Sequence, residues 1–128
     1  LLIEQLSGRR IIYAVKQSPV INDATREDAI EAGLGPLVEL IDNGTDAPGT
    51  VLPLCSATFC EAFDRADVVI AKGQANFETL NEADRDVHFL TQIKCAVIAR
   101  HYGYGVGDWI VTTPSALARR NAYQGGLP

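Results

Sequence analysis

The sequence has little of several residue types that mark particular protein classes. Its 128 residues include no methionine and only three cysteines. Cys55, Cys60 and Cys95 do not form a Cys-x-x-Cys pair, so the spacing indicates neither a disulfide framework nor a zinc site. We expect them to be small buried thiols of a cytoplasmic protein, in which the compartment keeps thiols reduced.

Long basic and long apolar runs are also missing. Eleven Lys and Arg stand against 16 Asp and Glu, and the net charge of −5 would repel the phosphates of a nucleic acid. No apolar stretch approaches the roughly 20 residues that span a bilayer, and no signal-peptide pattern is present. The sequence therefore predicts a soluble chain that has neither nucleic acid nor membrane as a partner.

Apolar runs alternate along the chain with helical patterns. The predicted strands are IIYAVK, PLVELID, DVVIAK, DVHFLTQIK and DWIVTT, and the helical patterns between them are TREDAIEAGL, SATFCEAFDRA and ANFETLNEA. CAVIARHYG fits a helix or a strand. Because parallel strands need crossover connections, the alternation predicts an α/β fold, a three-layer α/β/α domain with a mostly parallel, Rossmann-like sheet.

The first residues, LLIEQL, are typical of the last turns of an amphipathic helix that ends at Gly8. A helix that starts at its last turns suggests a segment upstream. We expect residues 1–128 to form a single α/β domain, the C-terminal part of a longer protein.

Polar residues and glycine collect just after the predicted strands. They are Lys16, Asn22, Asp23, Asn43, Thr45, Asp46, Lys72, Gly73, Gln74, Asn76 and Lys94. The carboxyl ends of parallel strands are where open α/β sheets bind ligands, and lysines with carboxylates and amides suit a metal-bound phosphate. Simpler readings exist, since Lys94 could be a solvated lysine, and Asn43 and Asp46 fit a turn.

The segment SPVINDATREDA contains adjacent polar residues whose local role is not obvious. Asp23 could cap the following helix, but Thr25 with Asp28 three residues later fits a capping box better. Asn22 and Asp23 are then left without a local function.

Five segments together resemble the family long called domain of unknown function 89, now regarded as metal-dependent damage-control phosphatases. They are VKQSPVINDATREDA, LIDNGTDAPGT, ADVVIAKGQANFETL, FLTQIKCAVIARHYG and GDWIV, and they cover nearly the whole chain in the family's order. By position, the resemblance implies that Asp23 is a metal ligand with Asn22 beside it, and that Lys94 engages the phosphate. It implies a substrate loop over residues 72–78, which includes Glu78, and a cleft lining over residues 43–46; we count Lys16 among the substrate-binding residues.

The resemblance also implies a reaction. A divalent cation, Mn, Mg, Co or Ni, would polarise the phosphoryl group of a small phosphometabolite such as a sugar phosphate, while Lys94 neutralised its oxygens. The family's Asp-Asn-Ala-Gly-Glu motif, which supplies two further metal contacts, does not occur in this sequence. The resemblance therefore implies an incomplete metal site, with an upstream segment or a second copy of the chain as an expected partner.

Two other functions stay open at this point. S-adenosylmethionine-dependent carboxyl methyl transfer is proposed for some relatives, although no Gly-rich strand-to-helix turn with a following acidic residue is present. A non-catalytic binding or structural module would explain the missing metal contacts.

Overall fold

The computed structural model describes residues 2–6 and 8–124, with side chains as far as Arg120. The chain divides into two compact units, residues 1–65 and residues 66–128, and each has its own sheet.

The first unit is built on two parallel strands. Its elements are α1 (Leu2–Gln5), β1 (Ile12–Val15), α2 (Arg26–Glu31), β2 (Glu39–Asp42), a 3-10 turn (Leu52–Leu54) and α3 (Ala57–Arg65). The register pairs Val15 with Asp42, the last residues of the two strands. Both strands therefore end at the same edge of the sheet, and the loops that follow them are neighbours.

Helix α2 begins at the predicted capping box. Thr25 is the N-cap, its hydroxyl accepts from the backbone N–H of Asp28, and its own N–H donates to Asp28 Oδ2 at 2.7 Å. Each side chain thus satisfies a backbone donor that the helix leaves without a partner. The prediction that Thr25, and not Asp23, caps this helix is confirmed.

Over its described residues, 66–124, the second unit has a three-stranded mixed sheet and three helices. Its elements are β3 (Val69–Lys72), α4 (Gln74–Leu80), β4 (Val87–Gln92), α5 (Ala96–Tyr102), β5 (Trp109–Thr112) and α6 (Pro114–Gln124). Strand β4 is central; it pairs parallel with β3 and antiparallel with β5.

One face of this sheet forms the core of the second unit. Phe89 of β4 is completely buried, and the ring of Phe77 from α4 lies 5.2 Å from it, edge to face. Phe77 also contacts Tyr102 of α5 at 5.1 Å, so both helices pack on this face. The alternate residues of the strands point the other way, and there Val111 and Trp109 are 78% and 79% exposed.

The α/β class predicted from the sequence is confirmed, and two of the three strand pairings in the described part of the chain are parallel. The ambiguous segment CAVIARHYG forms helix α5, which Gly103 ends in the left-handed conformation (φ +68°). Helix α6 was not predicted. The cysteines are free, in line with the prediction of neither a disulfide framework nor a zinc site, but they are only partly buried, whereas buried thiols were expected. Among the described residues no helix is long and apolar enough to cross a membrane.

Candidate functional site

In the first unit, a tight turn after β1 presents Asn22 and Asp23. The backbone N–H of Asp23 donates to the carbonyl of Val20 at 2.9 Å, and Ile21 inside the turn has a positive φ of +50°, which is uncommon for a β-branched residue. Both polar side chains are exposed and, within residues 2–6 and 8–124, neither makes a hydrogen bond or an ion pair. They line an open depression of about 430 Å³ together with Pro19 and Thr25.

The loop after β2 is held by a buried lysine. Lys16 is only 6% exposed, and its Nζ donates to the backbone carbonyls of Ala47 and Gly49. A buried ammonium group must be compensated, and two carbonyl oxygens provide partners for it. The predicted substrate-binding residue Lys16 thus has a structural task in this unit.

Short polar side chains brace the same loop from within. Asp42 Oδ1 accepts from the N–H of Gly44 at 3.1 Å, and Asn43 Oδ1 accepts from the N–H of Thr45 at 3.3 Å. The hydroxyl of Thr45 accepts from a further backbone N–H at 3.1 Å. Asn43 and Thr45 are buried, whereas Asp46 is exposed and has no partner in the part of the chain that the structure describes.

Ser56, which directly precedes α3, holds this loop as well, and no role was predicted for it from the sequence. Its N–H donates to the carbonyl of Asn43 at 3.0 Å, and its hydroxyl accepts from the N–H of Phe59 at the start of α3. Gly44 has φ +73°, and a Cβ there would lie 2.5 Å from Cβ of Ser56. Glycine is required for this close approach, which lies within the turn predicted at Asn43 and Asp46.

In the second unit, two lysines lie at the carboxyl edge of the parallel strands. Lys72 is the last residue of β3, and Lys94 follows the end of β4 by two residues. Both are exposed, and among the described residues neither side chain forms a hydrogen bond or an ion pair. Because β3 and β4 run in the same direction, both lysine side chains extend from the same edge of the sheet. Two positive charges at one edge suit the binding of an anion.

The KGQAN segment contains the connection between β3 and α4, which is the single residue Gly73. Gly73 has φ +91° and is the N-cap of α4, while its N–H donates to the carbonyl of Leu90 at 3.1 Å. Asn76 Nδ2 donates to the carbonyl of Lys72 at 2.8 Å, and this bond links the first turn of α4 to the last residue of β3. The sharp reversal explains why glycine is needed at position 73.

Gln74 joins this segment to the residue that follows β4. Its Oε1 accepts from the backbone N–H of Lys94 at 2.6 Å, and its Nε2 donates to Oε1 of Glu78 at 2.6 Å. The amide therefore has a partner on each side, one on the same helix and one 20 residues away.

Apart from Gly73, which has no side chain, the predicted site residues fall into two groups. Those whose side chains bond to the protein are Lys16, Asn43, Thr45, Gln74, Asn76 and Glu78. Those whose side chains are without a partner in the described ranges are Asn22, Asp23, Asp46, Lys72 and Lys94. The second group is the one available to a ligand.

The oxygens of Asp23 and Asn22 have the right chemistry for a hard divalent cation. They are adjacent, unpaired in the described chain and exposed, but a cation of this class takes about six oxygen ligands. Among the described residues no three His, Cys, Asp or Glu side chains converge on one point. The two residues therefore fit as part of a donor set.

These features define an α/β protein that presents polar loops at the carboxyl edges of parallel strands, with open lysines at one edge and an open carboxylate at the other. The chain belongs to the family described as the damage-control phosphatase ARMT1-like domain, which matches residues 1–110. The predicted family is thereby confirmed.

Archaeal proteins are among its relatives. A damage-control phosphatase of Pyrococcus horikoshii is 48% identical over 77% of this chain and 34% of its own length. A damage-control phosphatase of Archaeoglobus fulgidus is 34% identical over 86% of this chain and 40% of its own length. The crystal structure of a DUF89 family protein from Pyrococcus horikoshii superposes with a TM-score of 0.83 at 43% identity, over 88% of this chain and 41% of that one. The chain thus spans between a third and two fifths of the length of these curated relatives.

Proposed function

We propose that this chain carries the phosphate-binding lysine and one metal-binding carboxylate of a phosphatase that hydrolyses small phosphorylated metabolites, such as sugar phosphates. The observation that carries the proposal is the pair of exposed lysines at the carboxyl edge of β3 and β4, both without a partner in the described residues. Two relatives bear the name damage-control phosphatase, which supports the same reaction class.

The lysines are assigned to the phosphoryl group. Lys94 and Lys72 donate to its oxygens and neutralise charge that is present in the substrate and shared among the oxygens in the transition state. Because the ammonium groups have no competing protein acceptor in the described chain, no protein hydrogen bond has to be broken when the substrate binds.

Asp23 and Asn22 are assigned to a divalent cation, Mn, Mg, Co or Ni, as two of its oxygen ligands. When bound, such a cation supplies Lewis-acid polarisation of the phosphoryl group and orientation of water. The backbone hydrogen bond from the N–H of Asp23 to the carbonyl of Val20 fixes the turn from which the Asp23 carboxylate extends. Neither the described fold nor the names of the relatives favour methyl transfer.

The test of the lysine assignment is Lys94→Ala. We expect phosphate release from a panel of sugar phosphates with Mn²⁺ to fall by about a hundredfold or more in kcat/KM, and the affinity for Mn²⁺ to stay unchanged. The affinity for inorganic phosphate, measured by titration, should fall as well. Arg119→Ala removes an exposed cation from α6 and is the control. If Lys94→Ala retains wild-type turnover and phosphate affinity, Lys94 is a solvated surface lysine and the proposal is wrong.

The test of the metal assignment is Asp23→Ala. We expect loss of metal-dependent phosphate release and of Mn²⁺ affinity with an unchanged melting temperature, because Thr25 still caps α2. A melting temperature lowered by several degrees, with activity that merely follows the folded fraction, would show that Asp23 is structural.

A further inference from the structure

We propose that Gln74 is a positioning residue that holds the backbone of Lys94 at the carboxyl edge of the sheet, and that Glu78 sets the orientation of the Gln74 amide. This differs from the substrate contact predicted for Gln74 from the sequence. The role of Lys94 in binding phosphate rests on the proposed function, whereas the positioning itself rests on contacts within the second unit.

The chemistry of the two partners permits only one orientation of the amide. The backbone N–H of Lys94 can only donate, so it must face the amide oxygen, which it does at 2.6 Å. The ionised carboxylate of Glu78 can only accept, so it must face the amide nitrogen, again at 2.6 Å. Glu78 therefore selects the orientation in which Gln74 offers an acceptor to Lys94.

The backbone at Lys94 depends on this acceptor because it lies where regular structure is interrupted. Ile93 is completely buried and still bonds like a strand residue, donating to the carbonyl of Asp108 at 2.9 Å. Cys95 is already the N-cap of α5. Lys94 is the single residue between these two anchors, and Gln74 supplies the acceptor for its N–H.

Gln74 in turn is fixed by the core. It is the first residue of α4, a helix whose Phe77 and Leu80 are 0% and 3% exposed. The hydrogen bond therefore anchors the Lys94 backbone to a helix that is itself packed in the core. A lysine whose backbone is already fixed loses less conformational entropy when its side chain engages a phosphate, so phosphate affinity and turnover should both depend on Gln74.

The experiment uses three variants. Gln74→Met keeps the length of the side chain and removes both hydrogen bonds. Gln74→Glu keeps an acceptor for Lys94 but places a carboxylate beside Glu78. The double variant Gln74→Glu with Glu78→Gln restores both bonds. The Lys94 N–H again donates to an oxygen at position 74, and only the bond between positions 74 and 78 is reversed, because the amide introduced at position 78 would donate to the carboxylate introduced at position 74.

The first measurement is hydrogen exchange of the Lys94 backbone amide by NMR. We expect exchange about tenfold faster in Gln74→Met, corresponding to the loss of one hydrogen bond, and recovery in the double variant. The second measurement is affinity for inorganic phosphate, with kcat/KM where turnover is measurable. Both should fall by about tenfold in Gln74→Met and return to within about threefold in the double variant.

The control is Gln92→Met, the same substitution two residues before Lys94, where Gln92 Nε2 donates to the carbonyl of Gly107 at 3.1 Å. Lys94 exchange and phosphate affinity should stay at wild-type values in this control. Unchanged Lys94 exchange in Gln74→Met would overturn the positioning role whatever the activity, and failure of the double variant to recover would overturn the part assigned to Glu78. A wild-type chain that does not bind inorganic phosphate would instead refute the proposed function, while the exchange rates still decide the positioning.

Discussion

In both units, hydrogen bonds from side chains to the backbone stabilise the loops at the strand ends. The two units differ in their lysines, which are buried in one and exposed in the other. In the first unit Lys16 is buried, and its ammonium group is occupied by two backbone carbonyls. In the second unit Lys72 and Lys94 are exposed, and the bracing is left to the neutral amides of Gln74 and Asn76. The same residue type is thus an internal cross-link in one unit and an available charge in the other.

This difference separates stability from function. A buried charge that satisfies carbonyls cannot be removed without leaving those carbonyls unpaired, whereas an exposed lysine can be removed at little cost to the fold. Substitutions in the first unit's loop should therefore lower stability, and substitutions at the second unit's edge should act mainly on ligand binding.

The largest effect on stability is expected for Lys16→Met, which keeps the apolar stem and removes the ammonium group. Two backbone carbonyls lose a charged partner, so the free energy of unfolding should fall by about 3 kcal/mol or more. Urea denaturation followed by circular dichroism measures this change. Lys72→Met is the matched control, with an expected change below about 0.5 kcal/mol. Equal effects of the two substitutions would remove the contrast between the units.

Gly44→Ala should give the next largest loss. The new Cβ would lie 2.5 Å from Cβ of Ser56, at a φ of +73° that alanine adopts only with strain, so we expect a loss of about 2 kcal/mol. The comparison is Gly35→Ala, where no atom lies within 4 Å of the added Cβ and no positive φ is required. Thermal denaturation of both variants should show a lowered midpoint for Gly44→Ala alone.

Gln74→Met should lower the free energy of unfolding by less, about 1 kcal/mol. The two hydrogen bonds that Gln74 loses are neutral or accessible to solvent, so water can replace them in part. The same urea titration as for Lys16→Met measures this change. We expect the hydrogen bonds of Gln74 in the second unit to contribute less to the free energy of unfolding than those of Lys16 in the first. A loss as large as that of Lys16→Met would mean that the contacts of Gln74 stabilise the second unit as much as those of Lys16 stabilise the first.

The smallest effect is a pH dependence at the capping box of α2. The hydrogen bonds from the backbone and hydroxyl of Thr25 lower the pKa of Asp28 below its usual range. A carboxylate with a lowered folded-state pKa contributes stability above its unfolded pKa, near 4, and loses that contribution as the pH falls through the folded value. The stability difference between wild type and Asp28→Asn should thus be present at pH 7 and shrink below about pH 4, as followed by urea titrations across this range. A difference independent of pH would contradict the lowered pKa.

The features predicted from the sequence are those set by local chemistry. The capping box joins Thr25 and Asp28 across three residues, and the turn predicted at Asn43 and Asp46 involves only a few positions, so each could be found in a short segment. Helix α6 was missed because its polar composition gives little periodicity.

The roles of individual side chains were less predictable because they depend on distant residues. Lys16 meets its carbonyls 31 and 33 positions further along the chain, and Gln74 meets Lys94 across 20. Nothing in a window around Lys16 distinguishes it from an exposed lysine at the end of a strand. The sequence therefore indicated which loops carry the candidate site, and the tertiary structure separates the residues that build those loops from those that are open to a ligand.

The open face of the second unit's sheet gives the protein an optical reporter of its own. Trp109 is the only tryptophan of the chain, and its side chain is 79% exposed on strand β5, opposite Gln92 of β4. An indole in water emits at long wavelength and is reached readily by quenchers such as iodide or acrylamide. Any event that covers this face shifts the emission to shorter wavelength and shields the ring, so association at the sheet can be followed by fluorescence without a label.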